Sequence, residues 1–146
     1  MKLAHRVRTS ATPAQVWEVL GTPARWPEFD LFLTRVRGAA APAAQGQHLV
    51  GISRWTKLGI PLDVLDADPE RRLVMRVHTA PGVTEELTFA LTPTTKGGTD
   101  ITVGIVVDGL FARPAAPVLW VANGLNARVL ARRTHLRARA ARRRAA

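Results

Sequence analysis

Apolar and polar residues alternate along much of the chain, and a period of two marks a strand with one face turned inward. The alternation is loose over residues 2–9 and 31–37, and then recurs over 47–56, 60–66, 71–79, 83–92 and 99–108. Turn-forming residues separate the later runs: Lys57-Leu58-Gly59, Asp68-Pro69-Glu70, Ala80-Pro81-Gly82 and Lys96-Gly97-Gly98. Successive strands joined by such short turns predict an antiparallel meander.

Three segments read as helical. Thr12 is placed to cap a helix whose first position is Pro13, where a missing N–H does no harm, and this helix runs to Leu20 and stops at Gly21. A second start at Thr22-Pro23 gives a short helix, Ala24-Arg25-Trp26, that ends before Pro27. A long final helix begins around Pro114 and Pro117. In it Val118, Val121, Ala122, Leu125, Val129, Leu136 and Ala140 repeat at helical spacing, a stripe predicted to cover the concave side of the sheet. Asn123 and Asn126 read as ordinary polar helix positions. The fold class expected is α+β: a curved antiparallel sheet of about seven strands around a long C-terminal helix, with two short helices after the first strand. One domain over residues 1–140 is expected, followed by an arginine-rich tail at 141–146.

Ala11-Thr12-Pro13-Ala14-Gln15-Val16-Trp17-Glu18-Val19-Leu20 resembles the opening signature of START-like, SRPBCC-type proteins. Trp26-Pro27-Glu28-Phe29 resembles the motif that follows it, and Gly97-Gly98-Thr99 before the last strand is also typical. Within that superfamily the chain is most similar to the polyketide cyclase/dehydrase and lipid-transport group. The resemblance implies a helix-grip fold with a deep cavity between sheet and C-terminal helix. It also implies a hydrophobic ligand, which some members cyclise or dehydrate, although fold alone does not decide the activity.

Composition removes several chemistries. The chain of 146 residues has no cysteine and no tyrosine. Disulfides, thiolate metal sites, a cysteine nucleophile and phenolic acid–base chemistry are therefore excluded. The only serines are Ser10 and Ser53, so no Ser–His–Asp arrangement can be argued. His5, His48 and His135 are scattered singly, and neither a metal nor a cofactor is expected. Gly97-Gly98 lies between strands and is a turn, not a phosphate loop. The start, MKLAHRVRTS, has no apolar run, and a cytoplasmic protein is expected. The heavy use of Ala, Arg, Gly and Pro suggests a GC-rich bacterial genome.

The formal net charge of +10 is unevenly spread. Thirteen of the 21 Lys and Arg precede residue 128, against all 11 acids, a net of +2. The remaining eight arginines lie in 128–146 with no acid among them. One reading is an arm for nucleic acid or an acidic membrane. The other is a solvated helix end, where cations suit the negative pole of the dipole. A homodimer is a further possible partner arrangement.

The best candidate chemistry sits on the hairpin around Ala80-Pro81-Gly82-Val83. A tight turn would set His78 opposite Glu85, with Arg76 two residues along the same face. The pattern Val83, Glu85, Leu87, Phe89, Leu91 turns Glu85 inward, whereas Leu73, Met75 and Val77 claim the inner face of the neighbouring strand for themselves. A bulge near Pro81-Gly82 would reconcile the two. With all three inside, His78 could take a proton α to a carbonyl while Glu85 sets its tautomer and Arg76 stabilises the enolate. The alternative is a surface ion pair with no catalytic role. Trp26, Phe29, Trp55, Leu87, Phe89, Val103, Val121 and Leu125 are the expected ligand contacts. The expected function is binding of a hydrophobic small molecule, most concretely as a polyketide cyclase or dehydratase, or alternatively as a non-catalytic carrier or sensor of lipid-like ligands.

Overall fold

The computed structural model describes residues 2–146. Strand β1 (Lys2–Thr9) is followed by helix α1 (Pro13–Leu20) and a short 3₁₀ helix (Pro23–Glu28). Six strands follow: β2 (Leu33–Arg37), β3 (His48–Ser53), β4 (Gly59–Asp68), β5 (Arg72–Ala80), β6 (Val83–Pro93) and β7 (Thr99–Asp108). Helix α2 (Ala112–Ala145) closes the chain. The strands form one antiparallel sheet in the order β1-β7-β6-β5-β4-β3-β2, so β1 and β2 are its two edges and the sheet stays open. This is the expected helix-grip layout. No helix among the described residues is long and apolar enough to cross a membrane.

Local chemistry explains the element ends. Thr12 accepts a hydrogen bond from the N–H of Gln15 while the Gln15 side chain accepts from the N–H of Thr12, a reciprocal cap that satisfies two otherwise unpaired donors. Trp26 is buried in the 3₁₀ helix, and its indole N–H donates to the Leu20 carbonyl at 2.8 Å. Gly109 has φ +113, and a Cβ there would lie 2.3 Å from the Gly82 carbonyl oxygen. That close crossing lets the N–H of Phe111 bond the Gly82 carbonyl at 3.0 Å and starts α2 beside the β5–β6 turn.

Helix α2 presents to the sheet a face different from the one its apolar stripe predicts. Val121, Leu125 and Leu136 are exposed on the outside and Val118 borders the cavity, while Ala116, Asn123, Asn126, Ala127, Leu130, Thr134 and Ala138 are buried. The physical reason is proximity. The helix lies close on β1 and β7, and at Gly124 no side chain larger than hydrogen fits. A Cβ on Gly124 would lie 2.6 Å from the His5 ring, which stacks on Trp120 with centroids 4.6 Å apart. His5 Nε2 also donates to the Trp120 carbonyl at 2.7 Å. Deeper in, Thr9 and Thr134 share a hydroxyl–hydroxyl bond of 3.0 Å. Residues 141–145 continue α2, so the arginine-rich end is helical.

On the other face of the sheet, Asp100 of β7 takes Arg8 at 2.7 Å and Arg6 at 2.8 Å, which ties the edge strand β1 to its neighbour. The Arg8 bond and then the Arg6 bond hold the Asp100 carboxyl down to about 2.

The close fit at Gly124 makes a prediction. Gly124→Val displaces His5 from Trp120 and lowers unfolding free energy by about 1–3 kcal/mol in urea titration. Combining it with His5→Ala removes the obstructing ring and recovers most of that loss.

Candidate functional site

The concave side of β3–β6 is not covered by α2, and the gap is a cavity of about 820 Å³. The 3₁₀ helix closes one side through Trp26 and Phe29, and the sheet contributes Leu62, Met75, Leu87 and Phe89. Leu119 and Ala122 of α2 complete a wall that is mostly apolar. Against this lining stand two carboxyl groups, Glu85 and Asp30, each bonded to an asparagine of α2.

Glu85 reaches the cavity because β6 alternates strictly, with Val83, Glu85, Leu87, Phe89 and Leu91 all buried on one face. Only 5% of its surface is exposed. Its Oε1 accepts from Asn123 Nδ2 at 2.8 Å, and its Oε2 accepts from the Thr79 hydroxyl. Asn123 Nδ2 also donates to the Leu119 carbonyl at 2.9 Å, which fixes the amide in place. Asp30 follows the 3₁₀ helix, and its Oδ1 accepts from the N–H of Phe32 at 3.0 Å. Asn126 hydrogen-bonds the same carboxyl with its side chain, and its Oδ1 accepts from the N–H of Leu31 at 3.0 Å.

Burial pushes both carboxyl groups above their ordinary range. For Glu85 the Thr79 and Asn123 bonds oppose that rise, while the nearby charge of Asp30 adds to it. For Asp30 the Phe32 N–H, the Asn126 amide and the charge of Arg54 oppose it. Two carboxyls whose burial disfavours ionisation, at an apolar wall, are suited to hold protons.

The bulge anticipated near Pro81-Gly82 is present, with a different residue turned inward. Val77 pairs with Glu85 and Ala80 with Val83, so His78 and Thr79 together stand opposite one residue, Thr84. Leu73 and Met75 thereby keep the inner face of β5, and Thr79 faces Glu85. His78 borders the rim of the cavity, but its imidazole bonds Asp63 at 3.1 Å. Asp63 points away from the cavity, between the buried Leu62 and Val64, and binds His48 at 2.6 Å through its other oxygen. These two bonds, His48 first, hold the Asp63 carboxyl below its ordinary value. Arg76 is on that outer face too, paired in register with Asp63 and Glu86 and 3.8 Å from the Glu86 carboxylate. The expected inward trio is therefore corrected in part: Glu85 is inside, Arg76 is on the outer face, and His78 stays at the cavity rim with its ring bonded to Asp63. No group of three metal-ligating side chains occurs among the described residues.

Of the expected ligand contacts, Trp26, Phe29, Leu87 and Phe89 line the cavity. Val103 is buried in the core on β7 but does not form the cavity wall. Trp55 is 72% exposed in the β3–β4 connection, where its strand has already ended. Val121 and Leu125 lie on the outer face of α2, for the packing reason given above. The residues that sequence reasoning passed over are Asp30, Asn123 and Asn126. A signal for Asn123 was present: it shares with Ala116, Ala127, Thr134 and Ala138 a strip of α2 that bears no charged residue.

The model of the polyketide cyclase/dehydrase and lipid transport family matches residues 1–142. The chain belongs to that family. Solved structures share its fold. A protein from Mesorhizobium loti superposes with a TM-score of 0.74 at 20% identity, covering 90% of this chain and 95% of that one. A protein from Thermobifida fusca gives 0.70 at 20% identity, covering 91% and 92%. DynU16, from the dynemicin biosynthetic locus, gives 0.68 at 19% identity, covering 90% of this chain and 46% of its own. No curated protein matches the sequence. Family membership supports a hydrophobic ligand for the cavity described here.

The raised carboxyl has a measurable consequence for this family member. A group whose folded-state pKa is raised stabilises the native state below its ordinary value, and that contribution is lost as pH rises through the folded-state value. Glu85→Gln keeps partners for Asn123 and Thr79 but cannot ionise. Its melting temperature should exceed the parent's at about pH 8 and match it at about pH 4.

Proposed function

We propose that the protein binds a hydrophobic small molecule in this cavity and cyclises or dehydrates it by acid–base chemistry at Glu85 and Asp30. The observation that carries the reading is a pair of carboxyl groups at an otherwise apolar wall, Glu85 buried and Asp30 half-buried, each raised by burial and held by an asparagine of α2. When one is ionised and the other protonated, the site holds a base and an acid at once. In a dehydration the carboxylate takes the proton α to the carbonyl. The electron pair left behind forms the new double bond and expels the β-hydroxyl, which leaves as water with the proton of the second carboxyl. The two groups finish with their protonation states exchanged, and proton transfer through solvent resets them. Aldol cyclisation uses the same pair, the acid protonating the carbonyl oxygen under attack.

The structural likeness to a protein from a biosynthetic locus supports a role in making small molecules. The second reading, a carrier without turnover, draws on the same apolar walls and requires no proton transfer.

Turnover of β-hydroxy ketones and poly-β-ketones, followed by mass spectrometry, separates the readings. Glu85→Gln and Asp30→Asn should each reduce turnover by about 10²–10⁴-fold while ligand affinity changes little. Arg76→Ala, on the outer face, should leave turnover unchanged. A parent protein that binds these compounds and converts none is a carrier.

A further inference from the structure

The hydrogen-bonding capacity at the polar end of the cavity is one-sided. Asn123 Nδ2 has two protons, one committed to Glu85 Oε1 and the other to the Leu119 carbonyl. The Thr79 hydroxyl donates to Glu85 Oε2, and the Asn126 side chain is engaged with Asp30 and with the N–H of Leu31. Of these groups, what remains open toward a ligand is the acceptor capacity of the two carboxyls, while the hydroxyls of Ser53, Thr56 and Thr84 also line the cavity. No lysine or arginine is among the residues that line the cavity. The Arg54 guanidinium, whose charge reaches Asp30, is tied to the carbonyls of Leu31 and Leu33 at 3.0 Å each.

We propose that the cavity selects a ligand whose polar end donates hydrogen bonds, a protonated amine above all and a hydroxyl next, and rejects chains that end in a carboxylate. This deepens the ligand-binding part of the function proposed above and does not require turnover. An ammonium group at this end of the cavity meets the open acceptors of Glu85 and Asp30 and offsets the cost of ionising a carboxyl that burial disfavours. A hydroxyl satisfies one acceptor without adding charge. A carboxylate brings a third acidic group to a site with no cation to meet it, and must take up a proton or leave its charge unpaired in an apolar setting. The overall charge of +10 works in the opposite direction, since it attracts anions to the surface. A preference for the amine therefore has to come from the cavity.

The test is displacement of a neutral fluorescent probe, N-phenyl-1-naphthylamine, by dodecylamine, dodecanol and dodecanoate below their aggregation limits. Salt is kept at about 0.15 M so that surface charge is screened. Dodecylamine should displace the probe at a concentration at least about tenfold below that of dodecanoate, with dodecanol between them. In the double variant Glu85→Gln, Asp30→Asn, dodecylamine should lose its advantage over dodecanol, with a cooperative melting transition showing that the variant is folded. Equal or tighter displacement by dodecanoate, or an amine preference that survives in the variant, overturns the inference and leaves the ligand-binding reading standing. A probe that does not enter the parent protein overturns the ligand-binding reading and the preference with it.

Discussion

The close contact of α2 with β1 and β7 is the constraint on which the rest of the molecule depends. Gly124 admits the His5 ring, and Ala116, Ala127, Ala131 and Ala138 keep the inner face of the helix slim. A helix drawn so near one side of a curved seven-stranded sheet cannot also cover the other side. The uncovered stretch over β3–β6 is the cavity, and the 3₁₀ helix with Trp26 and Phe29 only closes its end. Larger residues along the inner face of α2 would lift the helix and change the shape of the space beneath it. Helix packing and cavity volume are thus one variable.

The same contact brings Asn123 and Asn126 over the cavity, where they meet Glu85 and Asp30. A buried carboxyl without partners costs several kcal/mol, so the four residues stand or fall together. They span three parts of the chain: the segment after the 3₁₀ helix, strand β6 and helix α2. The polar end of the cavity therefore forms only when the whole fold is assembled.

The strands were legible because alternation is a local property, written into each run of residues whatever its neighbours do. Glu85 could be turned inward from β6 alone, and a conflict with β5 already called for a bulge. Which side chain the bulge delivers was not legible, because the identity of the residue opposite Thr84 depends on where the extra position falls. It falls on His78 and Thr79, and Thr79 faces in. Helix α2 misled for a different reason. Its apolar residues Val118, Val121 and Leu125 form a tidy stripe, yet that side runs on into Arg128, Arg132 and Arg139 and cannot be buried throughout. The strip bearing Ala116, Asn123, Ala127, Thr134 and Ala138 is free of charge, but the asparagines looked like solvent positions. Asp30 offered no pattern at all, since it lies between elements. A fold shared at 20% identity with a TM-score of 0.74 shows that most side chains can change while the scaffold stays.

The β5 bulge gives this scaffold an unusual kind of evolutionary freedom. His78 and Thr79 occupy adjacent positions opposite a single residue, one turned to the outer face and one to the cavity. Losing one codon there would restore regular pairing and settle which of the two remains, while gaining one would shift the choice again. The Ala80-Pro81-Gly82 tip lies immediately beyond, itself part of the cavity wall and bonded to the start of α2 through the Gly82 carbonyl. The chemistry facing a ligand can therefore be rewritten by an insertion or deletion at the end of a hairpin, with the apolar wall of Leu62, Met75, Leu87 and Phe89 left as it was.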